Sequence, residues 1–372
     1  MYYFDHSATT PLHPDVVELM HNIQKYKFGN PSSTHKKGRE AKLIIENSRN
    51  QIAHAIGVSS KNIIFTSGGT ESNNQVLWSM LGNKKSHILS NYIEHPAVLN
   101  VLQYLKNYGI DHDLVSVDNN GLISIQELKN KIKKDTALIS VMLANNEIGT
   151  IQPVEEIVKI AHGKGILVHS DAVQCLGKMH INVDKIGADF FSLSAHKFYG
   201  PKGVGILYFK NRKLLSSFII GGSQEKNLRA GTEDTASIAG MGLAAEIAVK
   251  NLSQKVKTLV KIEKEFLNRL KAIYPKFIIN GHKERKLPGV LSVSFPDFRS
   301  DFLMAKLDRE NICVSNGAAC GSGDIKPSKI LKALSLKDEI NISTLRFSFG
   351  VTNTIDEIQY LINVLNKILN QR

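Results

Sequence analysis

Short β-branched runs alternate with helical stretches through the first two-thirds of the chain, and this alternation restricts the fold more than any other feature. Asn62–Thr66, His87–Ser90, His112–Val115, Ala137–Met142, Ile166–Ser170, Phe190–Leu193 and Val204–Phe209 read as strands. Helical stretches lie between them, beginning near Thr70–Glu71 and covering Pro96–Asn107, Ser124–Lys131 and Pro153–Lys164. This spacing predicts an α/β fold with a large, mainly parallel sheet covered on both faces. After about Thr235 the pattern changes. A long helical region, Ala236 to Ala272, leads into a shorter α+β segment. Its expected strands are Val290–Phe295, Ile312–Val314 and Leu345–Phe349, and its expected helices are Asp301–Arg309 and Ile355–Leu369. The predicted division is a large α/β domain over 15–250 and a small α+β domain formed by 1–14 and 251–372.

Composition excludes several classes. No run approaches the roughly 18–20 uncharged apolar residues needed to span a bilayer. Met1–Pro14 lacks a basic stretch followed by an apolar one, so it does not read as a secretory signal, and the expected compartment is the cytoplasm. Three cysteines, Cys175, Cys313 and Cys320, do not form a disulfide framework or show structural-zinc spacing. The net charge of +13 comes from lysines spread along the chain. That pattern favours solvated helix faces over a nucleic-acid surface, so nucleic acid is not a required partner.

Chemistry-bearing residues gather at predicted strand ends. Lys197 lies in Ser194–Pro201, directly after the strand ending at Leu193. A lysine at the mouth of a sheet suits an aldehyde cofactor, because imine formation needs a neutral, partly desolvated amine. Asp171 closes the strand Ile166–Ser170, where α/β sheets bind ligands, and can face a pyridine nitrogen. Gln174, three residues on, can donate to a phenolate oxygen. Thr66–Ser72 follows a strand and opens a helix, and its small residues let backbone N–H groups meet a single phosphate. His95, between a strand and Pro96, can stack on an aromatic cofactor. Each feature alone also fits a plain role: a surface lysine, a helix cap, a tight turn or a structural histidine. Together the features match different parts of one cofactor.

The same residues, with Tyr3–Thr10, Phe28–Ser33, Asn145–Gly149, Gly221–Thr232, Ser315–Cys320 and Leu345–Ser348, resemble the NifS/IscS-like cysteine desulfurases of the class V aminotransferase family along nearly the whole chain. The resemblance implies the aspartate aminotransferase-like fold (fold type I) and pyridoxal 5'-phosphate as cofactor. It implies that Lys197 is the Schiff-base lysine, Asp171 the pyridinium partner, His95 the stacking and catalytic imidazole, and Gln174 the phenolate donor. Gly69, Thr70, Ser194 and His196 match phosphate-binding positions. Thr232 matches a threonine that reaches the phosphate of the neighbouring subunit, which implies a homodimer. Asn146 matches a residue contacting cofactor and substrate, and Arg346 the arginine that clamps the substrate carboxylate.

Cys320 matches the cysteine that takes sulfur from L-cysteine, leaving L-alanine and a persulfide. That sulfur would pass to an acceptor such as an iron–sulfur scaffold protein, with Cys320 a transient iron–sulfur ligand, or serve thiolation. Five of the nine residues Ser315–Gly323 are Gly or Ala, so a mobile loop over about 315–325 is expected. A different class V enzyme, an aminotransferase or a selenocysteine lyase, shares Lys197 and Asp171 and is the alternative. Ser-Asn-Gly-Ala-Ala before Cys320, where the family often has Ser-Ser-Gly-Ser, bears on the choice of acceptor. Cys175 and Cys313 are expected in the core.

Overall fold

The computed structural model describes residues 1–316 and 326–370. Twelve strands occur among them: β1 (Tyr2–Tyr3), β2 (Ile63–Thr66), β3 (His87–Asn91), β4 (Asp111–Val115), β5 (Thr136–Ser140), β6 (Leu167–Asp171), β7 (Phe190–Ser194), β8 (Gly205–Phe209), β9 (Ile278–Asn280), β10 (Val290–Ser294), β11 (Ile312–Cys313) and β12 (Thr344–Ser348). Seven of them form the main sheet, in the order β2-β8-β7-β6-β5-β3-β4. The ladders among β7, β6, β5, β3 and β4 are parallel, and β8 runs antiparallel to both β2 and β7.

Adjacent residues on these strands serve opposite faces. Phe65, Leu89, Ile139, Phe191 and Ile206 pack into one buried cluster with Ile45, Ile52, Met241 and Ala245. Their neighbours Ile64, Ile88, Leu138, Phe190 and Leu207 pack on the other side with Val76, Leu77, Val98 and Leu102. A strand whose side chains alternate at period two but are apolar on both sides must be covered on both sides. The helices Lys36–Ile56 and Thr235–Val249 cover one face, and Gly69–Ser79 and Pro96–Leu105 cover the other.

A second sheet, β12-β10-β9, is antiparallel. Its apolar face (Leu291, Val293, Leu345, Phe347) packs with Phe4, Leu259, Phe266 and Leu365 in a separate cluster. The first residues of the chain join this cluster, with β1 pairing in parallel with β11. The chain then runs across the edge of the main sheet.

The long helical region expected over Ala236–Ala272 is two helices, Thr235–Val249 and Leu252–Ile273. Lys250 is extended and Asn251 adopts a left-handed conformation, φ 56°, which Asn tolerates at low cost. The helices Pro14–Tyr26 and Lys36–Ile56 and the strands β1 and β9 were not among the expected elements. Cys175 is fully buried, whereas Cys313 is only half-buried, because its two-residue strand pairs only with β1, in a two-stranded sheet of its own.

Candidate active site

Strands β2, β3, β5, β6 and β7 all point their carboxyl ends at one edge of the main sheet, because β8 is the strand that reverses. Thr66, Asn91, Asp171 and Ser194 end four of these strands. The segments that follow carry the residues singled out by sequence, and such an edge is where open α/β sheets bind ligands.

At β2, Gly68 caps the helix Gly69–Ser79 with φ 151°, and no side chain caps that helix. Its first N–H groups are therefore available to an anion, with the helix dipole in their favour. A Cβ at Gly69 would stand 2.6 Å from Val173 Cγ2, so only glycine lets this turn approach the segment after β6. Ser194 is also close: its Oγ is 3.5 Å from where a Cβ on Gly68 would lie. Thr70 is exposed beside them. His196, half-buried, sets Nδ1 3.2 Å from Thr9 Oγ1, and burial pushes its pKa down to about 4.

Asp171 is buried, with both oxygens accepting N–H groups: Oδ2 from Asn73 Nδ2 at 2.7 Å and Oδ1 from the Val173 amide at 3.0 Å. Asn73 sits one helical turn beyond Gly69, which brings the phosphate-type turn and the carboxylate into one frame. Gln174 has both ends of its amide engaged. Nε2 donates to Ser7 O at 2.9 Å, and Oε1 accepts from Lys178 Nζ at 3.2 Å.

His95 is the N-cap of the helix Pro96–Leu105, with Pro at the first helical position. Its Nδ1 accepts from the Ala97 N–H at 3.1 Å. Burial lowers its pKa, against the pull of Asp171 and with a push from Lys197. A neutral ring whose Nδ1 accepts must carry its proton on Nε2. Glu94 beneath it is buried; burial, and secondarily the Asp171 charge, push its carboxyl up to about 8.

Lys197 ends the short turn Ala195–Lys197 after β7 and donates to the carbonyls of Ser7 and Ala8, both at 2.6 Å. Burial, then the charges of Lys178 and Arg346, lower its pKa from 10.5 to about 7. It is thus a lysine with a substantial neutral fraction near neutrality, as an amine nucleophile must be.

Arg346 comes from β12 on the smaller sheet. Its Nη2 donates to Asp5 Oδ1 at 2.7 Å, and its Nη1 to the carbonyl of Asn146 at 3.0 Å. Among the described residues its Nε is buried without an acceptor. Asn145 shapes this turn by accepting the Glu147 and Ile148 amides on Oδ1. Thr232 is exposed in the segment before the helix Thr235–Val249. Cys320 lies outside the described residues.

Sequence reasoning did not assign Asp5, Ser7, Ala8, Asn73, Glu94 or Lys178. Glu94 and Asn73 stood beside singled-out residues, at the i−1 position to His95 and the i+4 position to Gly69. Among the described residues no group of three or more His, Cys, Asp or Glu is placed to hold a metal ion.

Residues 2–361 match the aminotransferase class-V family. The chain is 42% identical to cysteine desulfurase IscS of Dictyoglomus turgidum, covering 99% of this chain and 94% of that protein. It is 40% identical to cysteine desulfurase IscS of Clostridium botulinum, covering 100% and 94%. Among solved structures, a NifS-like protein superimposes with a TM-score of 0.93 at 38% identity, covering 99% of each chain. A NifS-like protein of Rickettsia africae superimposes with a TM-score of 0.89 at 33% identity, covering 100% of this chain and 99% of that one. The chain belongs to the aminotransferase class-V family. Within it, the chain is one of the NifS/IscS-like cysteine desulfurases, which depend on pyridoxal phosphate.

The residues present fit that cofactor. An uncapped helix N-terminus beside Ser194 suits its phosphate, the buried Asp171 its pyridine nitrogen, and the desolvated Lys197 its aldehyde.

Proposed function

We propose that Lys197, Asp171 and Arg346 carry substrate activation and that Cys320 accepts the sulfur. The net change is L-cysteine plus the Cys320 thiol giving L-alanine plus a Cys320 persulfide. The substrate C–S bond is reduced to C–H as the thiol is oxidised, so no further redox partner is required. The observation that carries the reading is the depressed Lys197 amine held at the strand-end edge beside the buried Asp171.

Bound pyridoxal phosphate supplies an electron sink that makes the Cα proton of an amino acid labile. Gly69, Thr70, Ser194 and His196 hold its phosphate, Asp171 and Gln174 its ring, and His95 stacks on it and passes protons from Nε2. Lys197 moves the Cα proton, a task its half-neutral state near pH 7 suits. Arg346 receives the substrate carboxylate. Its Nε–H, without an acceptor among the described residues, is a donor open to one, and Asn146, through its carbonyl, holds the fork in place. Cys320 attacks the substrate sulfur as thiolate.

Thr232, exposed and preceded by the exposed apolar Ile220, reaches a second subunit in a homodimer. The cluster about the smaller sheet, separate from the two that cover the main sheet, supports a large domain over 15–250 and a small one from 1–14 and 251–372. No helix among the described residues is long and apolar enough to cross a membrane. The enzyme is proposed to act in the cytoplasm and to deliver sulfur to an acceptor such as an iron–sulfur scaffold protein, where the Cys320 persulfide is a transient ligand.

Purified protein with L-cysteine and a reductant tests this reading. Equal yields of sulfide and alanine, both lost in Cys320→Ala, are expected. Turnover of cysteine that survives the substitution would overturn the role of Cys320.

A further inference from the structure

Lys178 is buried at 8% exposure in the turn that follows β6. Among the described residues its ammonium has no carboxylate partner and a single hydrogen bond, to Gln174 Oε1. A buried ammonium with two of its three N–H donors unused is costly to keep unless its charge serves a purpose.

Its place in the network indicates the purpose. An ammonium only donates, so the Gln174 atom facing it must be oxygen. The Ser7 carbonyl only accepts, so the Gln174 atom facing it must be nitrogen, at 2.9 Å. The same Ser7 carbonyl accepts from Lys197 Nζ at 2.6 Å. Lys178, Gln174, Ser7 and Lys197 therefore form one chain of contacts, in which the donors from both ends converge on the Ser7 carbonyl. Lys178 and Lys197 also line the same cavity.

Resting on the cofactor site described above, we propose that Lys178 is a positioning residue. Its ammonium fixes the Gln174 amide with the N–H2 turned into the site, and its buried charge opposes a second cation at Lys197. The other charged and titratable groups acting on Lys197 come from several elements. They are Asp171 at the end of β6, Arg346 on β12, Asp5 on the N-terminal segment, His95 at a helix start and His196 on the same turn. Lys178 is the largest charge effect among them, second only to burial.

The test titrates the visible band of the cofactor-loaded enzyme against pH and measures cofactor affinity in Lys178→Met, Lys178→Gln and Lys178→Arg. Losing the charge should raise the midpoint by about one pH unit in the Met and Gln variants, with Arg staying near wild type. Losing the donor should weaken cofactor binding about tenfold in Met, while Gln, which can still donate to Gln174 Oε1, binds near wild type. An unmoved midpoint in Gln overturns the electrostatic role, and unchanged affinity in Met overturns the positioning role. If Met does not fold, Gln and Arg decide the charge question, and Lys178→Leu, which also lacks a donor, decides the other. A wild-type protein that develops no band with pyridoxal phosphate overturns the site reading itself, and that result is seen before any variant is made.

Discussion

Removing the carboxylate of Glu225 should destabilise the larger unit by about 3 kcal/mol, because it leaves a buried guanidinium without its main counter-ion. Arg49, on the helix Lys36–Ile56, meets Glu225 through two parallel bonds of 2.7 Å, and their side chains are 4% and 2% exposed. The same carboxylate accepts the Phe65 amide of β2 at 2.7 Å, and the guanidinium lies 4.7 Å over the Phe65 ring. Breaking a buried pair from one side costs about 3–5 kcal/mol. Glu46 remains on Arg49 at 3.2 Å but is half-exposed, so it offsets part of the loss and sets the lower end of that range. Glu225 also anchors a segment in which Glu225, Lys226 and Asn227 all have positive φ, the segment that leads to Arg229 and Thr232. The assay is urea denaturation of Glu225→Gln followed by fluorescence of Trp78, the only tryptophan, which packs against the larger unit's core. Arg49→Met combined with Glu225→Leu should recover most of the loss, since apolar replacement of both partners removes the stranded charge. A single variant within about 1 kcal/mol of wild type would refute the premise that Arg49 is held uncompensated, since surface pairs are worth no more than that.

Gly69→Ala should weaken cofactor binding, because its Cβ would meet Val173 Cγ2 at 2.6 Å. Adding Val173→Ala should restore most of the affinity, and a double variant as weak as the single one would place the damage elsewhere. Stability of the cofactor-free protein should rise with pH above about 8. There Lys178 and Lys197, lowered to about 8 and about 7, are largely neutral when folded but still protonated when unfolded, up to their ordinary 10.5. Each adds up to about 1.4 kcal/mol per pH unit in that window. Glu94, raised to about 8, acts in the opposite sense only between its ordinary value of 4.5 and that point. Denaturation midpoints at pH 8 and 9.5 should therefore diverge less in Lys178→Met than in wild type, and equal slopes would contradict the assigned burial.

The local structure read correctly from sequence was that set by neighbouring residues. A strand that ends in Gly-Gly-Thr must turn, and Thr66–Thr70 does so with Gly68 at φ 151°. His95 before Pro96 marks a helix start by the fixed φ of proline and the loss of its N–H, and the helix begins there. The residues that escaped are those whose partners lie far along the chain. Asp5 meets Arg346 across 341 positions, and Ser7 meets Lys197 across 190. Nothing local marks a backbone carbonyl as the holder of a reactive amine, because every residue has one. The break at Asn251 escaped for a different reason: an amphipathic pattern continues through it, and the interruption rests on one left-handed residue.

The N-terminal segment shows how those distant contacts combine. Asp5 holds Arg346 of the smaller sheet, while the carbonyls of Ser7 and Ala8 hold Lys197 of the larger one. The Ser7 amide donates to Ser348 Oγ on β12, and Thr10 binds the His196 carbonyl. Six consecutive residues thus join the arginine suited to the substrate carboxylate and the lysine suited to the cofactor. These two groups come from different sheets, and neither sheet alone fixes the distance between them. A short segment bonded to both does, and under the roles proposed for Lys197 and Arg346 its displacement by about 1 Å should cost of order 10²-fold in rate. Sequence reading placed these residues in the small domain and, within Tyr3–Thr10, in a stretch of family resemblance, with no role at the site. Their bonds to Lys197 and His196 bring them into the site itself.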